Sequence, residues 1–267
     1  MKNRFLVTKL FWNALPSFLQ IGISRVYAQI YTISLSRFFI KPFCSMNGLN
    51  DNYLKLFNSE TSKAENYKNF QDFFCRQLKN PITPQSNLVW PCEGYLCEQG
   101  LVSTLPVIKI KGEKKGLKKV FSSLNDLVPD SYFYTNIFLH NKNYHRVHAP
   151  ISGRITRIEK IAGDLSILRP WFYSKTEISK PALRNERVNI DITDYSGQVW
   201  FMSIVGGMAV GTIELLKNTF LNNTVLCGEE IALFRLGSTV CLATPVALKT
   251  QAYLQKVFVG EKIELST

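Results

Sequence analysis

The sequence predicts an α+β fold, in which N-terminal amphipathic helices precede a β-rich, mainly antiparallel body of barrel-like or sandwich-like architecture. Apolar residues recur at helical spacing in the first 80 residues, whereas short β-branched runs separated by Gly, Pro, Asn and Asp turns dominate from about residue 88 onward. Hydrophobic residues make up 46% of the 267 residues and charged residues 19%, which supplies a sizeable core and excludes global disorder. We therefore divide the chain into a helical region, 1–80, and a β-rich body, 81–267.

The N-terminal helices are expected to be apolar on one side and edged with basic residues. Residues 1–50 contain six Lys and Arg residues and no acid. Their longest uncharged run, Leu10–Ser24, has 15 residues and contains Pro16, whereas a membrane-spanning helix needs about 20 apolar residues. Such helices either lie in the headgroup region of a membrane or pack on the body, and a mitochondrial transit peptide is a third interpretation. The apolar stripes comprise Phe5, Leu6, Leu10 and Phe11, then Phe18, Leu19, Ile23 and Tyr27.

A further helix is predicted over Glu65–Leu78, because its aromatic residues recur at i, i+3 and i+4 spacing. In the body, β-branched runs bounded by turn residues predict strands. The clearest runs are Val102–Ile110, Val188–Ile192, Val199–Val205 and Thr239–Ala243.

The formal net charge of +12 is concentrated in two places, residues 1–50 and residues 109–119, where six lysines accompany one glutamate. Two basic patches beside a nearly neutral remainder fit an anionic membrane surface better than a nucleic acid, so no nucleic-acid partner is expected. The six cysteines form no CxxC pair and the three histidines are confined to residues 140–148, so no metal site is predicted. The cysteines are expected to be free thiols.

Two stretches of the body contain acid–base residues. Glu93 lies among the rigid and small turn formers of Trp90–Gly94, a pattern that is also typical of an ordinary surface turn. His145 and His148 lie in Tyr144–Pro150, and two imidazoles could act as general acid and base near neutral pH. A structural histidine pair and a metal site are the alternatives, and a metal site would lack further ligands.

A third stretch, Leu236–Thr239, places a glycine directly before a serine. Gly237 has no β-carbon, so the backbone bends freely and nothing obstructs attack by the Ser238 hydroxyl on the glycine carbonyl. By itself this dipeptide is a common turn.

In this order, the three stretches resemble the bacterial-type phosphatidylserine decarboxylase family, whose members are pyruvoyl-dependent membrane enzymes. The segment Tyr67–Arg76 is similar to the family's Y-x-x-F-x-x-F-F-x-R signature, and Tyr144–Pro150 matches its YHRxHxP motif. Three further segments resemble its G-D-L, N-E-R-V and glycine-rich motifs, and a fourth resembles the stretch that ends at its L-G-S-T cleavage site. These are Ala162–Leu165, Asn185–Val188, Gly207–Ile213 and Gly228–Val240.

The resemblance implies that the chain makes its own cofactor. Ser238 would attack the carbonyl of Gly237 and form an ester, leaving a β chain of residues 1–237 and an α chain of residues 238–267 that begins with a pyruvoyl group derived from Ser238. The family pattern makes His148 the base for this step. It places the acid that orients this base at Glu93, where the family has Asp. His145 is then expected to protonate the substrate carbon after CO₂ has left.

The implied reaction converts phosphatidylserine to phosphatidylethanolamine. The expected partners are phosphatidylserine, an anionic membrane surface and the chain's own β and α fragments, with a homodimer as a candidate assembly. The expected location is the periphery of the bacterial cell membrane, on its cytoplasmic face. A decarboxylase-like protein that binds membrane surfaces without processing or catalysis is the alternative, motivated by the exchange of Asp for Glu93.

Overall fold

The computed structural model describes residues 11–12, 14–57, 67–110, 112–122, 127–208, 213–235 and 238–266. The predicted apolar positions Phe5, Leu6 and Leu10 lie outside these ranges, as do Lys111 and Gly237. Within them the fold is α+β, as predicted, with helices concentrated before residue 80 and strands after residue 93.

The described residues of the N-terminal part form four α-helices and a 3₁₀ helix at Ser34–Phe39. The side chains of Asn50 and Asn69 cap the third and fourth helices by accepting backbone N–H groups three residues ahead. The helices are α1 (Ser17–Ile30), α2 (Ile40–Asn47), α3 (Asp51–Leu54) and α4 (Phe70–Phe74).

Helix α4 is shorter than the predicted Glu65–Leu78, whose first two residues lie outside the described ranges. After Cys75 the chain leaves the helix, because Leu78 forms a β-bridge with Phe57 and the Lys79 amide donates to the Leu56 carbonyl. Tertiary pairing therefore replaces the last helical turn that the aromatic spacing predicts.

The body contains thirteen described strands, one helix and three short 3₁₀ turns. The first strands are β1 (Gly94–Leu101), β2 (Ile108–Ile110), β3 (Glu113–Lys115), β4 (Phe133–Leu139), β5 (Arg146–His148), β6 (Gly153–Ile161) and β7 (Arg187–Thr193). The others are β8 (Val199–Gly206), β9 (Ile213–Leu215), β10 (Thr224–Val225), β11 (Glu230–Phe234), β12 (Ser238–Thr244) and β13 (Lys256–Val257). The helix is α5 (Lys180–Arg184), and the 3₁₀ turns are Val102–Thr104, Leu117–Val120 and Pro170–Phe172.

Eight strands form one sheet in the order β10-β6-β7-β8-β12-β4-β1-β13, and every pair in it is antiparallel. A second sheet has the order β5-β11-β9, and β2 pairs with β3 as a hairpin. The large sheet stays open at β10 and β13, so the sandwich-like form of the prediction applies and a closed barrel does not. The predicted strand Val102–Ile110 was wrong in its first half, because Pro106 cannot donate a ladder hydrogen bond and restricts the residue before it.

The large sheet is buried on both faces. Along β12, Val240 and Leu242 point into an inner core shared with the three-stranded sheet, whereas Cys241 and Ala243 point into an outer core on the opposite face. The inner core also contains Val147, Ile190, Ile204, Ile231 and Phe234, and the outer core Phe121, Tyr134, Phe138, Phe201 and Val205. Because β12 lies in the middle of this sheet, its first residue, Ser238, is fully buried.

The N-terminal helices pack on the body through polar as well as apolar contacts. The Trp12 indole N–H donates to the Leu165 carbonyl, and the Leu165 amide donates to the side chain of Gln20. Helix α1 therefore packs against the body through Gln20 and leaves its apolar stripe in solvent, and Gln20 and Ser24 are its buried residues. Among the described residues, no helix is both long enough and apolar enough to cross a bilayer.

Candidate active site

Strand order fixes the surroundings of Ser238. It opens β12, opposite Leu139 of β4 on one side and Gly206 of β8 on the other. Ser238 and Val240 lie two residues apart on one strand, so their side chains point to the same face of the sheet. The Ser238 side chain therefore points toward the three-stranded sheet, in which the histidine motif forms β5. The two motifs therefore meet although 93 residues separate them.

His145 is the histidine that contacts Ser238. Its Nδ1 lies 3.2 Å from the Ser238 Oγ, and its Nε2 lies 3.1 Å from the carbonyl oxygen of His140. A carbonyl can only accept, so Nε2 bears the proton of the neutral ring and Nδ1 presents a lone pair to the serine hydroxyl. This is the arrangement that a general base and its nucleophile require.

The surroundings of His145 keep its ring neutral. Burial lowers the pKa of His145 to about 3, and the positive charge of Arg76 acts in the same direction. The ring stacks on Phe74 of α4, with 4.0 Å between ring centroids. At neutral pH the imidazole is therefore neutral, and its Nδ1 lone pair can accept the hydrogen bond of the Ser238 hydroxyl.

His148 contacts a different set of groups. Its Nδ1 donates to the Gly228 carbonyl at 2.8 Å, and its Nε2 accepts from the Tyr144 hydroxyl at 3.0 Å. It lines a cavity of about 540 Å³ between residues 77–84 and 226–230. Within the described part of the chain, no hydrogen bond joins His148 to Ser238, so the contact that the family pattern assigns to His148 is made by His145.

Glu93 binds four donors and neither histidine, as far as the described residues show. Its Oε1 accepts from the Asn143 amide at 2.8 Å and pairs with Lys256 Nζ at 2.9 Å. Its Oε2 accepts from the Tyr53 hydroxyl at 2.7 Å and from the Tyr144 amide at 3.1 Å. Burial acts to raise the pKa of Glu93, but hydrogen bonds from Lys256 and Tyr53 and the charge of Lys256 outweigh it, so the pKa lies below its ordinary value.

Comparison with known proteins shows the family of the chain. The sequence model of the phosphatidylserine decarboxylase family matches residues 70–265. The chain belongs to the phosphatidylserine decarboxylase family.

Relatives named phosphatidylserine decarboxylase proenzyme include one from Helicobacter pylori, 26% identical over 85% of this chain and 82% of the relative. A relative from Legionella pneumophila is 28% identical over 82% of this chain and 85% of its own length, and one from Hahella chejuensis is 32% identical over 68% of each. Their common name describes a carboxy-lyase that is made as a precursor. The family thus supplies the enzyme class, and the structure supplies the contacts of the individual residues.

The N-E-R-V segment holds the strand end beside Ser238 by two hydrogen bonds. Asn185 of the N-E-R-V segment donates to the carbonyl of Gly206, the β8 residue that lies opposite Ser238. The Gly206 amide donates to the carbonyl of Glu186. The glycine-rich segment continues beyond Met208 into residues 209–212, which the structure does not describe.

Gly94, the first residue of β1 and the residue after Glu93, is required by close packing. A β-carbon at this position would lie 2.7 Å from the Ile137 side chain and 2.7 Å from the Phe138 carbonyl oxygen of β4. Glycine therefore lets the turn that carries Glu93 approach the strand next to β12.

Sequence reasoning missed the partners of Glu93, namely Tyr53, Asn143 and Lys256. Asn143 directly precedes the histidine motif, and that proximity was the one available signal. Tyr53 and Lys256 stand in segments without a motif, and the fold alone brings them to the carboxylate.

Proposed function

We propose that this chain is a phosphatidylserine decarboxylase that cleaves itself between Gly237 and Ser238, forms a pyruvoyl group from Ser238, and converts phosphatidylserine to phosphatidylethanolamine and CO₂. Family membership supports the reaction. The contact of 3.2 Å between His145 Nδ1 and Ser238 Oγ is the observation that carries the assignment of the site.

Self-cleavage would begin with a proton transfer inside this pair. His145 takes the hydroxyl proton at Nδ1 while Ser238 Oγ bonds to the Gly237 carbonyl carbon, and the amide nitrogen of Ser238 leaves that carbon. The departing nitrogen takes the proton from His145, whose Nδ1 is then free again. In the resulting ester, His145 Nδ1 takes the α-proton of residue 238 while the Gly237 carboxylate leaves the serine β-carbon. Residues 1–237 then end in a free carboxylate, and residue 238 carries a carbon–carbon double bond. Hydrolysis of the remaining unsaturated residue releases ammonia and leaves the pyruvoyl group at position 238.

The surroundings of residue 238 fit a small keto group. The residue is buried, it faces His145, and its neighbour Gly206 has no side chain that would crowd it. A pyruvoyl ketone supplies an electron sink for the bond to a departing CO₂. His145, still held at Nε2 by the His140 carbonyl, can then hold at Nδ1 the proton that the product carbon takes up.

The cleaved fragments are expected to remain associated. Strand β12, the start of the α chain, pairs with β4 through seven residue pairs from Ser238 to Thr244, and with β8 on its other side. Losing it would open the middle of the sheet and expose both cores.

The apolar surface of the N-terminal helices supports peripheral binding to an anionic membrane, where phosphatidylserine resides. Exposed fractions are 71% for Phe18, 70% for Leu35, 65% for Phe38 and 80% for Met46. Large apolar side chains left in solvent along several consecutive elements are typical of a surface that meets lipid. The cytoplasmic face of a bacterial membrane is the location that the family resemblance implies.

The proposal is tested by Ser238→Ala, with the exposed Ser174→Ala as a matched control. Wild type and control should run as two fragments on a denaturing gel and release CO₂ from phosphatidylserine vesicles. Ser238→Ala should run as one chain and release none. Cleavage and activity in Ser238→Ala would refute the assignment, whereas an uncleaved, inactive wild type would favour the non-catalytic membrane-binding alternative.

A further inference from the structure

We propose that a basic cavity on the opposite face of the large sheet from Ser238 binds a phosphate-bearing anion. The cavity has a volume of about 740 Å³ and lies between the segment 113–122 and the segment 183–187. Six cationic side chains line it: Lys114, Lys115, Lys118, Lys119, Arg184 and Arg187.

Among the described residues, six cationic side chains line this cavity and three acids pair with them, namely Glu113, Asp130 and Asp164. Glu113 is the one acid among the described lining residues, and it pairs with Lys115 at 3.3 Å. Asp130 pairs with Lys118 at 3.3 Å from outside the lining. The side chains of Glu113 and Asp130 are 75% and 68% exposed, so solvent screens both pairs and an anion could replace them.

Hydrogen bonds to the protein hold the two arginine side chains in place at one side of the cavity. Arg184 donates from Nε and Nη2 to a single carboxylate oxygen of Asp164, at 3.0 and 2.6 Å. Arg187 is 5% exposed and donates to the carbonyls of Lys119, Val120 and Asn185. Because carbonyl groups carry no net charge, these hydrogen bonds do not neutralise the positive charge of the Arg187 guanidinium.

The position of Arg187 separates this cavity from the Ser238 site. Arg187 pairs with Val205, and Val205 pairs with Thr239, so the cavity lies two strand spacings from the cleavage point. Val205 belongs to the outer core, and strand alternation puts Arg187 on that same face. Ser238 points to the inner core, so an anion in the cavity would not occupy the Ser238 site.

Phosphate is the anion that this set of groups fits best. Lysine ammonium groups bind phosphate as point charges. The Arg187 guanidinium adds positive charge at the cavity wall, while its N–H groups donate to the carbonyls of Lys119, Val120 and Asn185. A volume of about 740 Å³ also accommodates a lipid headgroup, because ligand sites commonly span roughly 300–1,000 Å³. Free phosphate and the headgroup of an anionic lipid share this chemistry.

The test uses the full chain, a cavity variant and a matched control of the same charge. The cavity variant is Lys114→Gln/Lys115→Gln/Lys118→Gln, and the control is Lys175→Gln/Lys217→Gln/Lys262→Gln, at exposed positions that do not line the cavity. Calorimetric titration with inorganic phosphate should show binding by wild type and control, and at least tenfold weaker binding by the cavity variant. Phosphate should also raise the melting temperature of wild type and control by more than it raises that of the cavity variant.

Vesicles distinguish the two sources of phosphate. If a lipid headgroup fills the cavity, the cavity variant should float less than the control with phosphatidylcholine vesicles that contain phosphatidylglycerol, and inorganic phosphate should compete with wild type. If free phosphate is the ligand, both variants should float equally while the calorimetric difference remains. Equal phosphate affinity of the two variants, or no phosphate binding by wild type, would overturn the proposal, and neither result would bear on cleavage at Ser238.

Discussion

The hydrogen-bond partner of His145 Nε2 decides what its Nδ1 can do. The His140 carbonyl holds the proton on Nε2, so the lone pair faces Ser238 whatever the rotation of the serine hydroxyl. His148 has the opposite tautomer, because its Nδ1 donates to a carbonyl and its Nε2 accepts from Tyr144. The two histidines, three residues apart, therefore present different ring nitrogens as hydrogen-bond acceptors: Nδ1 in His145 and Nε2 in His148.

Exchanging each histidine separately tests this difference. We expect His145→Gln to slow self-cleavage at least ~100-fold, the usual contribution of a general base, because no group remains to take the serine proton. His148→Gln can still donate to the Gly228 carbonyl and accept from Tyr144, so cleavage should slow much less. The rate is measured by following the intact chain on denaturing gels after synthesis. The reverse order of effects would restore the family pattern, with His148 as the base.

Glu93 is expected to position the segment that carries His145. In Glu93→Gln, one carboxylate oxygen becomes an NH₂ group that faces donors, which should reduce stability by ~1–3 kcal/mol and slow cleavage. The family-based expectation that Glu93→Asp is tolerated is tested alongside, since a shorter side chain withdraws the carboxylate from Tyr53 and Lys256.

Urea unfolding in the uncleavable Ser238→Ala background measures the stability of these variants. Glu264→Gln is the matched control, because its pair with Lys249 is more than half exposed on both sides. Since the pKa of Glu93 is lowered, its stabilisation should be present above the ordinary carboxyl pKa and disappear as the pH falls below it. A Glu93→Gln variant as stable as the control would remove this positioning role.

Sequence patterns made Glu93, His145, His148 and Ser238 candidates, because each stands in a short motif that resembles one of the family. They could not identify which histidine meets the serine, since that depends on how β5 lies across β12. Nor could they pair Glu93 with Tyr53, 40 residues earlier, or with Lys256 near the C-terminus.

At the scale of elements, helix α1 is oriented opposite to an ordinary surface helix. The sequence predicts its stripe of Phe18, Leu19, Ile23 and Tyr27, and such a stripe normally faces the core. In the structure this stripe is exposed, because the opposite side of the helix is buried at Gln20 and Ser24, and the Gln20 side chain accepts the backbone N–H of Leu165 in the body. Hydrophobic periodicity gives the stripe, but only the tertiary contacts reveal which way it points.

Polar substitutions on this stripe test the membrane proposal. Phe18→Ser/Ile23→Ser should bind phosphatidylserine vesicles several-fold more weakly and keep the melting temperature of wild type, because both side chains are already exposed. The matched control is Tyr195→Ser/Phe220→Ser, at exposed positions of the body. Equal binding by the two variants in a vesicle flotation assay would mean that this stripe does not meet lipid.

At the scale of the whole molecule, the proposed cleavage point precedes a strand that is paired on both sides. Ser238 starts a central strand whose two neighbours hold it over its full length. The α chain also contributes β13 at one edge of the large sheet and the Lys256 partner of Glu93. The sequence predicted the two layers of the body, but not that the short fragment would supply the middle of one of them, because strand order depends on non-local pairing.

The intact mass of the purified chain under denaturing conditions tests the central claim most directly. We expect two polypeptides, one of residues 1–237 and one of residues 238–267, the second lighter by one ammonia than its sequence because it begins with a pyruvoyl group. A single species with the mass of the complete chain, or a fragment 238–267 that keeps an N-terminal serine, would contradict it.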